Sequence, residues 1–405
     1  MNDQPIYDLL LKNGHVIDPL HNIDERMDVA IIGKKIAKVD ADINPALAAK
    51  VVDVAGHYVT PGIIDIHVHV YHTREPEGLS IMADSHSFRS GVTTMVDTGT
   101  AGAKHFLHFK RTVIDRVKTR VFAYINIVDG GMLGDFEQDV RNMDPELAAS
   151  VVLAYPEHCL GIKTAHYWTR EPFDADHTPW AAVERAVQAG ELCHKPVMVD
   201  FWPRPERPYD ELILKKMRPG DIHTHVYAQQ FPILDNNGRG KPNAFLFAAR
   251  QRGVIFDVGH GAGSFWFRNA VPAMQQGFGP DSISTDLHIN NIHGVVVDMQ
   301  STMSKILNIG MPLHEVIYRS TVTPAREIGH PELGQLGVGA EADVAVFALH
   351  TGDFTFVDCG RATLRGDKKL ECVLTLRAGQ IVFDPSGLSM PAWEAAPDSY
   401  WQLPW

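Results

Sequence analysis

The chain has 405 residues, of which 45% are hydrophobic and 21% charged, and a formal net charge of −12. That length suits a large domain with an appendage, and the acidic balance speaks against a nucleic-acid-binding surface. The sequence holds no run of about 18 apolar residues that would span a membrane and no basic stretch leading into an apolar one near its start, and its four scattered cysteines fit a reducing cytoplasm better than a disulfide framework or a thiolate zinc site.

In chain order, residues 1–57 read as short strands at Tyr7–Leu11, Asp28–Ile32 and Lys35–Val39, marked by alternation and by Gly, Asn and Asp turns. Residues 338–390 read the same way at Ala342–Phe347 and Glu371–Val382. Two β-rich ends around a different middle predict one small β-sandwich domain assembled from both termini. Residues 58–337 alternate apolar strand-like runs with helical patterns such as Trp180–Ala189 and Ala244–Arg252. The expected strands are Gly62–Val70, Thr93–Thr98, Arg120–Val128, Leu160–Thr164, Pro196–Phe201, Asp221–Tyr227, Gly253–Val258 and Ser282–Asp286. Strand–helix alternation on this scale predicts an α/β fold of the (β/α)8 TIM-barrel type, with chemistry at the C-terminal ends of the strands. The tail, 391–405, carries Trp393, Trp401 and Trp405, aromatics that need a surface to cover on this chain or on a neighbouring subunit.

The strongest chemical signal is Pro61-Gly62-Ile63-Ile64-Asp65-Ile66-His67-Val68-His69. Residues two apart in a strand share a face, so His67 and His69 present two imidazoles at the end of the first barrel strand, a pairing that suits a divalent transition metal. Other strand ends carry Lys163, Asp200, His225 and Asp286. Any one of these could be a satisfied buried group or a rim charge. Together with the two histidines, five strand ends converging on one rim make a metal-ligand and acid/base constellation. Three more histidines stand on rim loops. His260 is flanked by Gly259 and Gly261, His288 follows Asp286 closely, and His166 lies three residues past Lys163. All three are candidate substrate-binding groups, and His166 is also a possible replacement ligand. His194 and His223 are expected at the wrong ends of their strands.

With these residues the chain resembles the amidohydrolase superfamily, in particular its dihydroorotase- and hydantoinase-like deacetylase branch, over nearly its whole length. The resemblance implies that His67 and His69 bind one metal and that Lys163, carboxylated on its side-chain nitrogen, bridges two. It also implies that His225 holds the second metal, and that Asp286 binds metal and moves protons. An ammonium beside two cations would be repelled, whereas a carbamate is an anionic ligand that can span both. The pattern expects histidine on the fifth strand, where this chain has Asp200; a carboxylate is a competent ligand for zinc or manganese, and Asp200 is expected to substitute. The implied cofactor is a divalent metal, two zinc ions first, with manganese, iron or cobalt also suited. The implied activity is hydrolysis of an amide, cyclic amide or N-/O-acyl bond of a small polar, anionic substrate by metal-activated water, in a homo-oligomer without nucleic-acid or membrane partners. Rival expectations are a deaminase or phosphotriesterase on the same barrel, and a non-catalytic hydantoinase-like scaffold.

Overall fold

The computed structural model describes residues 5–72, 78–132 and 138–401. The chain opens with β1 (Tyr7–Asp18), paired antiparallel with β2 (Ile23–Ile32), which pairs with β3 (Lys35–Asp40). Next come β4 (Ala48–Asp53) and β5 (Tyr58–Pro61), both parallel to β1. Sequence alone placed residues 58–61 with the barrel, but they pair in the terminal sheet, Tyr58 and Val59 against His15 and Val16.

The chain then enters a parallel sheet whose strands are neighbours in sequence order. They are β6 (Ile63–Val68), β7 (Val92–Gly102), β8 (Arg120–Asn126), β9 (Cys159–Thr164), β10 (Val197–Val199), β11 (Ile222–His223) and β12 (Ile255–Phe256). Residues 282–287 close the ring. Ser282 bridges Asp257, Leu287 bridges Val68, and Val258 N donates to Ser282 O at 3.1 Å. The Asp65 carboxylate reinforces this seam by accepting Thr285 N at 3.0 Å and Thr285 Oγ1 at 2.6 Å.

Every predicted strand has its counterpart, but the later ones are shorter than expected. Side chains there take positions a ladder would occupy: Asp221 accepts Val197 N at 2.8 Å, and Asp281 accepts Phe256 N at 2.9 Å. Ile64, Ile66, Val96, Tyr124 and Met198 form a buried cluster inside the barrel. Helices cover the outside; Ala181–Cys193 buries Val183, Ala186, Ala189 and Cys193. Burying a side chain of valine size contributes about 1.5–3 kcal/mol, so this stripe holds the helix on the sheet.

The chain returns as β13 (Val344–Val357), antiparallel to β5, followed by β14 (Thr363–Arg377) and β15 (Gln380–Phe383). Strands from both termini therefore form one hydrogen-bonded eight-stranded sheet, with Leu11, Val29, Val59, Val346 and Leu374 in its core. Two short turns, Trp393–Ala395 and Asp398–Trp401, follow; Trp405 lies outside the described residues.

Candidate metal centre

Regular alternation would not bring His67 and His69 into the barrel. Ile64 and Ile66 belong to the interior cluster, so an unbroken pleat would turn His67 away. Between Asp65 and Val68, β6 advances three residues while β7 advances two, from Met95 to Asp97. This bulge resets the pleat. Both imidazoles then enter the site, buried, with ring centroids 5.8 Å apart.

The wall anchors each ring by Nδ1. His67 Nδ1 lies 2.8 Å from Thr224 Oγ1, His69 Nδ1 2.7 Å from Thr100 Oγ1, and His225 Nδ1 2.5 Å from the Gly259 carbonyl. A carbonyl only accepts, so His225 Nδ1 carries the hydrogen and its Nε2 offers a lone pair. The Nε2 atoms of His67 and His69 lie 3.5 and 3.0 Å from Asp286 Oδ1, and ligand atoms of these three residues fall within 4.8 Å of one another. Asp286 and His225 have φ of 49° and 62°, the left-handed region non-glycine residues seldom adopt and functional sites accumulate. Asp286 N donates to His67 O at 2.6 Å, which holds that turn.

A second group faces the first. Asp200, just past β10, is buried, with Oδ2 at 3.6 Å from His225 Nε2 and 3.4 Å from His166 Nδ1. Its Oδ1 is buried without a hydrogen-bond partner among the described residues. Lys163, fully buried on β9, pairs in register with Met198 of β10 and Asn126 of β8.

Charge states follow from this packing. Burial opposes ionisation of Asp286, but the neighbouring His67 and His69 outweigh it and hold the carboxyl far below its usual range. Burial, then the charge of Lys163, pushes His67 well down, keeping it neutral and able to ligate. Burial also opposes protonation of His69, but its hydrogen bond to Asp286 wins and raises it. Asp200 is lowered because His166, His225 and Lys163 together outweigh the cost of burial. Imidazoles anchored by Nδ1 with carboxylates between them are the donor set divalent transition metals take, and the unpartnered Asp200 Oδ1 is the buried oxygen a cation would satisfy.

These residues line a cavity of about 430 Å³ together with Leu79, Met132, Trp202, Gln229, Gln230 and Ser264. His166 and His288 line it too, the His288 ring 6.2 Å from that of His69. The expectation for His260 is corrected: its ring is buried behind the wall, stacked on Phe265, with Nδ1 at 3.0 Å from Gly261 O and Nε2 at 2.8 Å from Lys305 Nζ. The flanking glycines explain the motif instead. A Cβ on Gly259 would stand 2.2 Å from Thr224 Oγ1, and one on Gly261 2.6 Å from Asp286 Oδ2, both at positive φ. His194 caps the helix Ala181–Cys193 and lines a cavity shared with Arg326 and Glu327, away from the metal ligands, as expected. His223 instead faces outward, packing on Phe231 and Tyr209. Sequence reasoning missed the threonine anchors, and also Trp202 and Gln229-Gln230, although these follow directly on the ligand-bearing ends of the fifth and sixth strands.

The amidohydrolase family pattern matches residues 267–382. A deacetylase from Enterococcus faecalis is 31% identical over 381 residues, covering 93% of this chain and 99% of that protein. The chain belongs to the amidohydrolase family. Within the family, a deacetylase of Brucella anthropi is 31% identical and covers 81% of each chain. A solved structure described as an adenine deaminase superposes with a TM-score of 0.83 at 31% identity, covering 93% of this chain and 100% of that one. One described as a dihydroorotase gives 0.80 at 28%, covering 93% and 99%. Amidohydrolase membership and the histidine–aspartate cluster together make this chain a metal-dependent hydrolase of amide or acyl C–N bonds other than peptide bonds, acting on small molecules.

Proposed function

We propose that this amidohydrolase removes an acyl group from a small polar substrate at a two-cation centre, zinc first, to which a carboxylated Lys163 would contribute a ligand. His67, His69 and Asp286 would hold the inner cation, and His225 and Asp200, with His166 beside them, the outer one. The observation that carries the reading is the meeting of His67, His69 and Asp286 within 4.8 Å, facing Asp200 and His225 across the cavity that Lys163 lines. When bound, such cations acidify water and polarise the scissile carbonyl.

The chain's own residues do the rest. Asp286 Oδ1, poised beside both imidazoles, takes the proton from the attacking water and delivers it to the leaving nitrogen or oxygen. His288 and His166 orient the substrate's polar groups from two sides, Gln229 and Gln230 offer amide donors and acceptors, and Trp202 supplies an apolar wall. Acyl transfer to water is favoured over ring opening by the likeness to two deacetylases, over 93% and 81% of this chain. The likeness to an adenine deaminase structure supports a second reading, hydrolytic deamination of a purine-type base in the same cavity. The terminal sheet, with residues 58–61 joined to the expected 1–57 and 338–390, is read as a small β-sandwich domain, and the protein as a cytoplasmic homo-oligomer.

The test is a panel of N-acetyl and O-acetyl compounds, cyclic imides and adenine, presented to zinc-loaded protein. Release of acetate from at least one acyl compound is expected. Turnover of adenine alone would replace this reading by the second one.

A further inference from the structure

Beneath the site lies a polar group that the reaction does not use. Asp257, next after β12, is wholly buried and accepts three hydroxyls: Thr224 Oγ1 at 2.9 Å and Ser284 Oγ at 2.7 Å on Oδ2, and Ser282 Oγ at 2.9 Å on Oδ1. A threonine hydroxyl has one hydrogen. Since Thr224 spends it on Asp257 Oδ2, its oxygen is left to accept at 2.8 Å from His67 Nδ1. His67 must then carry its proton on Nδ1, and Nε2, aimed at Asp286, is a lone pair. As a carboxylate Asp257 can only accept, and this fixes the direction of the chain. The Asp257 carboxylate is also 3.9 Å from His67 Nδ1, too far for a hydrogen bond, so its effect on the ring runs through Thr224.

We propose that Asp257 is a positioning residue for the metal: through the Thr224 hydroxyl it fixes the His67 tautomer that can ligate a cation. The inference rests on the two-cation reading above. Outer partners of this kind set metal affinity by about 10–100-fold. Here Thr224 and Asp257 follow β11 and β12, neither of them the strand that carries His67, and neither side chain lines the cavity.

The experiment measures zinc affinity by chelator competition on the full chain, with thermal melting of the zinc-free protein as the check on folding. Thr224→Val should weaken zinc by about 10–100-fold, while Thr224→Ser, which restores the hydroxyl, should return to wild type. Asp257→Ala should weaken zinc like Thr224→Val. Asp257→Asn, whose amide oxygen can sit at the Oδ2 position, should stay close to wild type. The double variant Thr224→Val/Asp257→Ala should be no weaker than either single one, because the two act in one chain. If Asp257→Ala does not fold, the Thr224 pair and Asp257→Asn carry the test. Wild-type affinity in Thr224→Val, or losses that multiply in the double variant, would overturn the inference while leaving the metal centre standing. A wild-type protein that takes up no zinc would instead overturn the two-cation reading.

Discussion

The two halves of the centre are built differently. The inner group, His67, His69 and Asp286, is locked on all sides: each imidazole has a threonine behind it, and the Asp286 backbone is tied to His67 across the barrel seam. In the outer group His225 is anchored as firmly, by the Gly259 carbonyl, and the looseness lies with its partners. Asp200 meets its two histidines at 3.4 and 3.6 Å, and the His166 side chain is 53% exposed on its loop. Preorganised ligands lose less freedom when a cation arrives. The comparison therefore predicts one tightly held ion and one exchangeable ion, with Lys163 the member common to both.

The largest expected effect breaks the inner half. Asp286→Asn removes the carboxylate proposed to carry the proton and should lower kcat by about 10²–10⁴-fold while the two histidines still retain metal; normal turnover would remove Asp286 from the mechanism. Next is Lys163, the proposed shared ligand. Lys163→Ala should deplete both ions, and wild-type protein loaded in carbon-dioxide-free buffer should gain activity on adding bicarbonate. An activity indifferent to bicarbonate would argue for an ordinary lysine there. A smaller effect separates the halves: Asp200→Ala should take the metal content from about two ions to about one, whereas Asp200→His should tighten the outer ion. Equal loss from both halves in Asp200→Ala would erase the distinction.

The smallest effect on activity concerns the wall beside the inner half. Lys305 holds His260, and with it the glycine loop against Asp286, and burial lowers its ammonium to about 8 from an ordinary 10.5. Because the folded value lies below the unfolded one, the unfolded chain binds more protons between these values and folding gains stability as pH rises through that window. The gain should amount to roughly 2–4 kcal/mol. Denaturant unfolding of wild type and Lys305→Met between pH 7.5 and 10.5 should show their difference shifting towards wild type with rising pH. A difference independent of pH would mean that Lys305 does not titrate in this range.

Much of this architecture is legible in the sequence, because it rests on patterns that repeat. Strand order, the split terminal sheet and the polar residues at strand ends follow from apolar or alternating runs punctuated by Gly and Pro, whereas the ligand roles of Lys163, His225 and Asp286 are what the family resemblance implies. What escapes the sequence is local departure from that period. The bulge between Asp65 and Val68 and the left-handed turns at His225 and Asp286 decide which side chains enter the cavity, and alternation cannot see them. The histidine of the Gly259–Gly261 segment drew attention for its chemistry, when the space left by its glycines was the requirement. Thr100, Thr224 and Asp257 gave no signal, since a hydroxyl or carboxylate behind a ligand has the same sequence signature as any buried polar residue of a strand.

The measurement closest to the central claim is a count of metal per chain by elemental analysis, on protein purified without chelator and after dialysis against a mild one. About two ions falling to about one on dialysis is the result expected of a tight inner and an exchangeable outer site. No ion at all, even after zinc and bicarbonate are supplied, would contradict the metal centre and leave the barrel a scaffold.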